Sequence, residues 1–164
     1  MININDLNDN TPVIAVNQSF SIDENSANNT SLGTVIATDG DAGTTFSSWT
    51  ITSGNDLGIF QIDSNSGEIT IADNTDLDFE MNQSNTLAVT VSDGDNVSQS
   101  GNVMININDL NDNTPSITAN QSFSIDENSV NNRSIGTVMA TDGDGGTTFS
   151  SWTITSGNDL GIFQ

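Results

Sequence analysis

The chain of 164 residues contains no cysteine, histidine, tyrosine or lysine, and its sole basic side chain is Arg133. Without cysteine there is no disulfide framework and no thiolate chemistry. The missing imidazole, phenol and ammonium groups remove most of the side chains that do acid–base or nucleophilic work. One cation stands against 22 acidic residues, giving a formal net charge of −21. That balance leaves no basic surface to neutralise phosphates, which excludes a nucleic-acid ligand. An anionic membrane surface is excluded on the same ground. No run of about 18 apolar residues occurs, so nothing here is built for direct membrane insertion.

What is present argues for a folded protein. Leu, Ile, Val and Phe total 40 of 164 residues, roughly a quarter, above the ~20% at which disorder becomes the expectation for a highly charged chain. They recur in strand-like alternation, so the acidity is expected to be balanced in part by bound cations. The chain also repeats itself. Asp109-Leu110-Asn111-Asp112-Asn113-Thr114-Pro115 restates Asp6-Leu7-Asn8-Asp9-Asn10-Thr11-Pro12, and residues 1–61 and 104–164 agree at 53 of 61 positions. A spacing of 103 residues is about one domain, and self-similarity at such a period marks a tandem array.

Within one period the apolar alternation predicts seven short strands. The first spans residues 13–25 with Phe20 and Ile22, the second Gly33–Ala37, the third carries Trp49 and Ile51, and the fourth Phe60 and Ile62. The hairpin Ser64-Asn65-Ser66-Gly67 leads to Ile69 and Ile71; Leu87, Val89 and Val91 follow, then Val103, Ile105 and Ile107. Helical periodicity is absent, and turn residues separate the strands. The expectation is all-β: a seven-stranded antiparallel Greek-key sandwich of immunoglobulin-like type, with Trp49 in its core. The chain divides accordingly into an N-terminal linker at 1–12, a complete repeat at 13–108, a linker at 109–115 and a second repeat at 116–164. The second repeat lacks counterparts of residues 62–103 and is expected to be truncated to its first strands.

The linker packs aspartates and asparagine carboxamides into five positions and ends on a proline that starts an extended segment. Oxygen-rich, sulfur-free, imidazole-free donors suit a hard cation such as Ca2+. Turn chemistry alone accounts for Asp73, Asp76 and Asp95, but not for Glu24 or Glu80, since glutamate has no such preference. An EF-hand does not fit: counted from Asp6, position six is Thr11, not glycine, and position twelve is Asn17, not glutamate.

Five acidic motifs occur in order: Asp23-Glu24-Asn25, Leu77-Asp78-Phe79-Glu80, Val91-Ser92-Asp93, the linker from Asp109 to Asn113, and Asp142-Gly143-Asp144. With Ala37-Thr38-Asp39-Gly40-Asp41 beside them, this set resembles the calcium motifs of cadherin repeats, over essentially the whole chain. The resemblance implies that Glu24, Asp78, Glu80 and Asp112 hold a first ion. A second would take Glu24, Glu80, Asp109, Asp112, Asp144 and the Leu110 carbonyl. A third would take Asn111, the Asn113 carbonyl, Asp142 and Asp144. At the N-terminal linker Asn8, the Asn10 carbonyl, Asp39, Asp41 and Asp93 make a third-type site. Gathered without cations, seven carboxylates around 109–113 would repel one another; three calcium ions nearly balance them.

The function implied is a calcium-stiffened extender or adhesion module of a large extracellular, cell-surface protein whose partners are neighbouring repeats and homophilic contacts. The absence of lysine beside abundant Asn, Asp, Ser and Thr resembles a bacterial surface adhesin. No tryptophan precedes Trp49, so homophilic exchange through an N-terminal tryptophan does not fit. A calcium-dependent carbohydrate- or protein-binding module is the alternative, and a strand-swapped oligomer through the second repeat is a further expectation. An enzyme is not expected: the Asp78/Glu80 pair has no assisting side chain of another kind.

Overall fold

The computed structural model describes all 164 residues and contains strands and turns but no helix, so no helix is long and apolar enough to cross a membrane. Eleven strands form four sheets. The chain separates into two compact units, Met1–Leu110 and Asn111–Gln164.

The first unit holds β1 (Val13–Ile14), β2 (Gln18–Asp23), β3 (Ser31–Thr34), β4 (Ala37–Thr38), β5 (Ser47–Ser53), β6 (Phe60–Ile62), β7 (Glu68–Ile71), β8 (Ser84–Ser92) and β9 (Gly101–Asn108). A four-stranded sheet runs β2-β9-β8-β5, a three-stranded sheet runs β3-β7-β6, and β1 pairs with β4. The expected seven strands are therefore nine, because two of them break as they change partners. Between β1 and β2 the chain turns at Asn17, whose φ is 60°; asparagine tolerates that left-handed conformation. Between β3 and β4 it leaves β7 for β1. The Gln18 side chain clamps this crossing, its Nε2 donating to the Ala15 and Ile36 carbonyls and its Oε1 accepting from the Ile36 N–H.

The sandwich is not wholly antiparallel either. β2 and β9 run parallel, with Gln18 opposite Val103 and Asp23 opposite Asn108. The entry strand and the exit strand lie side by side in one direction, so the chain enters the unit at one end of this pair and leaves at the other.

The core follows from the period-two alternation. Along β8 the inward Leu87, Val89 and Val91 are wholly buried, while the outward Thr86, Ala88 and Thr90 are less so. Each such buried side chain contributes about 1.5–3 kcal/mol. β8 is paired with β5 and β9, so residues 62–103 complete the fold begun by residues 13–61. Trp49 is 4% exposed and meets Phe46 edge-on at 6.2 Å. Gly67 lies against the indole: a Cβ there would stand 2.9 Å from the ring, and its φ of +74° already favours glycine.

The second unit has only β10 (Ser116–Ile117) and β11 (Ala140–Thr141), paired as β1 and β4 are. The expected first strands of the second repeat are otherwise not formed. In the first unit β2, β3 and β5 take their ladder partners from β9, β7 and β8. Residues 116–164 contain no second copy of those segments, so their backbone groups have no strand to pair with and stay in contact with water.

Candidate metal centres

Two acidic clusters belong to the first unit. One sits where β2 ends: Glu24, Asp78 and Glu80 place carboxylate oxygens within 4.8 Å of one another. Glu24 is 1% exposed. A buried carboxylate needs donors, and Glu24 has them: Oε2 accepts from the Phe79 N–H at 2.7 Å and Oε1 from the Leu110 N–H at 2.7 Å. Glu24 therefore fixes the strand exit and the Leu77–Glu80 turn in one place. Asp78 accepts from the Met81 N–H at 3.0 Å, which shapes the same turn. Leu110 enters this network through its N–H; Asp109, half-buried, precedes it.

The second cluster joins Asp39, Asp41 and Asp93, again with carboxylate oxygens within 4.8 Å. Each is oriented by local donors. Asp39 Oδ1 accepts from the Asp41 N–H at 2.8 Å, and Asp93 Oδ1 accepts from the Asp95 and Asn96 N–H groups at 2.8 and 2.6 Å. Asp41 accepts from the Asn10 N–H at 2.9 Å and from the Asn10 carboxamide. The decisive detail is what these bonds leave over: Asp39 Oδ2 and Asp93 Oδ2 are buried and have no hydrogen-bond partner. Two such oxygens on neighbouring carboxylates are costly without a cation and suited to one with it. The residues present thus fit a calcium ion.

Three carboxylates within these sites are held below their ordinary range. The Asn10 carboxamide does this for Asp41, and the Asn96 N–H for Asp93. At Asp144 burial pulls upward as the largest single influence, but the Asn113 side chain, Asp142 and the Asn113 and Asp112 N–H groups together outweigh it. All three are ionised at neutral pH.

The second unit repeats part of this arrangement. Asp144, 7% exposed, accepts from the Asn113 carboxamide at 2.9 Å and from the Asn113 and Asp112 N–H groups at 3.2 and 3.4 Å. Asp142 Oδ1 accepts from the Asp144 N–H at 3.0 Å, and Asp142 Oδ2 is buried without a partner, like its counterpart Asp39. Asn111 is exposed at the start of this unit.

The candidates thus fall in three groups. Glu24, Asp78 and Glu80 come together, as do Asp39, Asp41 and Asp93, while Asp142 and Asp144 stand with Asp112 and Asn113. Asn10 contributes its side chain to Asp41, and its carbonyl accepts from Asn96 Nδ2 at 2.9 Å. Asn8 donates to the Asp93 carbonyl and to Asp95 Oδ2 at 3.4 and 3.3 Å. Asp95, read from sequence as a turn residue, and Asn96 beside it therefore tie the N-terminal linker to the β8–β9 turn. The signal was the Asp93-Gly94-Asp95-Asn96 run, whose density of carboxylates exceeds what one turn needs. Asp6 likewise makes a contact, accepting from the Ala42 N–H at 2.8 Å.

A sequence profile of the cadherin domain matches residues 18–108, more than half of the chain. The chain belongs to the cadherin family. Human protocadherin Fat 1 is 34% identical over 88% of the chain, and Drosophila melanogaster cadherin-87A is 33% identical over all of it. Among solved structures, the human desmocollin-1 ectodomain superposes with a TM-score of 0.76 at 27% identity, covering 94% of this chain and 31% of that one. Mouse cadherin-23 EC22-24 gives a TM-score of 0.65 at 30% identity, covering 86% and 46%. The chain spans only 3% of Fat 1 and 9% of cadherin-87A. These relatives are animal cadherins and give no support to the bacterial origin that the composition suggested. Burial of Trp49 also removes it as a stacking platform for a sugar.

Proposed function

We propose that this chain is a calcium-binding cadherin-type module of an extracellular array, in which ions at the inter-repeat linkers order the approaches to each repeat and so stiffen an extender or adhesion stalk. The observation that carries the reading is the pair of buried, unpartnered oxygens, Asp39 Oδ2 and Asp93 Oδ2, on carboxylates within 4.8 Å of Asp41. Turn chemistry uses one oxygen of a carboxylate, as at Asp63 and Asp73, and leaves the other to water; at Asp39 and Asp93 the second oxygen is buried instead, where a cation suits it.

On this reading Asp39, Asp41 and Asp93, with Asn8 and Asn10, hold one ion at the N-terminal linker. Glu24, Asp78, Glu80, Asp109, the Leu110 carbonyl and Asp112 serve ions at the second linker from the first repeat. Asn111, the Asn113 carbonyl, Asp142 and Asp144 serve from the second, which on this reading continues the array at 116–164 after the linker at 109–115. Family membership supports adjacent-repeat and homophilic contacts as the partners and the cell surface as the location.

Calcium binding only the folded state stabilises it by mass action, about 2.7 kcal/mol per site at one hundred times Kd. Thermal melting of the first unit should therefore shift upward in millimolar calcium and return with EDTA. A melting temperature indifferent to both would remove the reading.

A further inference from the structure

The eight differences between residues 13–61 and 116–164 are not scattered. Four of them, Val13/Ser116, Ala15/Thr118, Val16/Ala119 and Ile36/Met139, fall on one small region of the first unit. Val13 of β1 pairs with Thr38 of β4, and the Ala15 N–H donates to the Ile36 carbonyl at 2.9 Å. Ile14 is buried, and Val13 beside it faces outward; Val13, Val16 and Ile36 are 60%, 81% and 60% exposed. Beside them lies a groove of about 630 Å³, running from Val13 and Val16 to Ser100 and Asn102. None of the residues that line it is charged, in a chain whose net charge is −21. The corresponding Ser116, Thr118, Ala119 and Met139, which have a repeat ahead of them in the chain, are exposed as well.

We propose that this groove and its apolar rim are a self-docking surface, on which a second copy of the same repeat seats its own Val16. The proposal rests on the homophilic reading above and names the surface that carries it. Charge decides the occupant. Two copies at −21 repel each other across acidic surface, and they meet with least repulsion where neither presents a carboxylate. A cationic partner would be drawn to the acidic loops, and this groove offers it no charge. The contact is isologous: Val16 of each copy enters the groove of the other, and the pair closes as a two-fold dimer. The differences between the repeats set the choice of partner. Ser116, Thr118 and Ala119 stand where the first repeat has Val13, Ala15 and Val16. They put two hydroxyls on the rim and shorten the inserted side chain, so the first repeat pairs with its own kind in preference to its neighbour. An interface this small belongs to the weak class, so the association is read at high concentration.

Because the chain has no cysteine, a single introduced thiol reports one position without ambiguity. Val16→Cys puts it on the rim of the groove, and Asn65→Cys puts it on the exposed β6–β7 turn as a control. Each whole chain is treated with a short bis-maleimide at millimolar concentration in calcium. The expected result is a cross-linked dimer from Val16→Cys and only the slow background of random collision from Asn65→Cys. Ser100→Asp, added to Val16→Cys, puts a carboxylate into each groove and should return the rate to that background, since like charges facing each other across an interface are strongly unfavourable. Ser100 is exposed, and an unchanged melting curve confirms that the fold is kept. Equal rates from the two thiols overturn the proposal, and so does cross-linking through Val16→Cys that Ser100→Asp leaves unchanged. If sedimentation still shows dimers in either case, the homophilic reading survives at another surface; if it shows monomers, both fall. The calcium-dependent melting shift is read on the same chains, so a missing dimer beside an intact shift removes the docking surface and leaves the calcium module standing.

Discussion

Residues 13–61 and 116–164 differ at eight positions, yet one forms a sandwich half with a dry core and the other does not. Ile22, Val35, Trp49 and Ile59 are 8%, 2%, 4% and 2% exposed, whereas Ile125, Val138, Trp152 and Ile162 are 45%, 43%, 49% and 68% exposed. What survives in both copies is local. Asn17 and Asn120, Asn25 and Asn128, Asn29 and Asn132, and Ser48 and Ser151 all keep positive φ. Gln121 repeats the clamp of Gln18, Asn158 repeats the grip of Asn55 on the following turn, and Phe149 meets Trp152 at 6.1 Å as Phe46 meets Trp49. What differs is every ladder that needs β7, β8 or β9. Turns are set by a few neighbouring residues, whereas strands are set by partners tens of residues away, and only the first copy has them.

The strongest way to break this comparison is at the tryptophans. Trp49→Ala should cost about 3–5 kcal/mol in denaturant unfolding, as large-to-small core changes do. Trp152→Ala should stay within about 0.5 kcal/mol, as surface substitutions do. Equal effects would mean that the second copy builds a core after all.

The glycines give a smaller contrast. A Cβ at Gly33 would meet the Phe20 ring at 2.5 Å, and one at Gly136 would meet Phe123 at 2.2 Å. Phe20 packs against the core of the first unit, while Phe123 is 43% exposed and can swing away. Both glycines also hold positive φ, +149° and +155°, which alanine resists. Gly33→Ala should thus destabilise by at least about 1–3 kcal/mol, the cost of overpacking, and Gly136→Ala, which lacks that overpacking, should shift the denaturation midpoint less.

The smallest effect is in acid. The Ser66 and Asn65 N–H groups hold Asp63 below its ordinary value, and the Thr75 hydroxyl and N–H hold Asp73 below its own. A carboxylate depressed by folding contributes stability that is fully present above the unfolded value of 3.8 and is lost as pH falls through the folded one. The first unit should therefore lose stability below about pH 4, and Asp63→Asn should flatten that decline. Residues 116–164 have no counterpart of either aspartate, so this contribution is absent there, and Asp144 is the carboxylate of that segment held below its ordinary value.

The sequence made the strand segments and the inward set legible, because Leu87, Val89, Val91, Val103, Ile105 and Ile107 alternate cleanly. The resemblance to cadherin repeats, not the spacing, grouped Asp39, Asp41 and Asp93 in one site and Glu24, Asp78 and Glu80 in another, and the carboxylate oxygens of each set do lie within 4.8 Å of one another. The sequence did not reveal the parallel β2–β9 pair, because alternation says which side chains face inward and nothing about strand direction. The breaks at Asn17 and around Val35 were equally hidden, since a strand that changes sheets keeps its alternation. Asp95 was read as a turn residue and Asn96 passed over because their contacts, Asn8 and Asn10, lie 87 and 86 residues away. The unformed strands of the second copy were missed for the converse reason: the residues are right, and their partners are what is lacking.

The calcium reading meets its most direct test in calorimetric calcium titration of the chain against its Asp39→Asn, Asp93→Asn double variant, which keeps shape and hydrogen-bonding oxygens but removes both charges. The account predicts saturable binding to the unaltered chain and the loss of one class of site in the variant. Superimposable isotherms, or no binding heat in either protein, would contradict it.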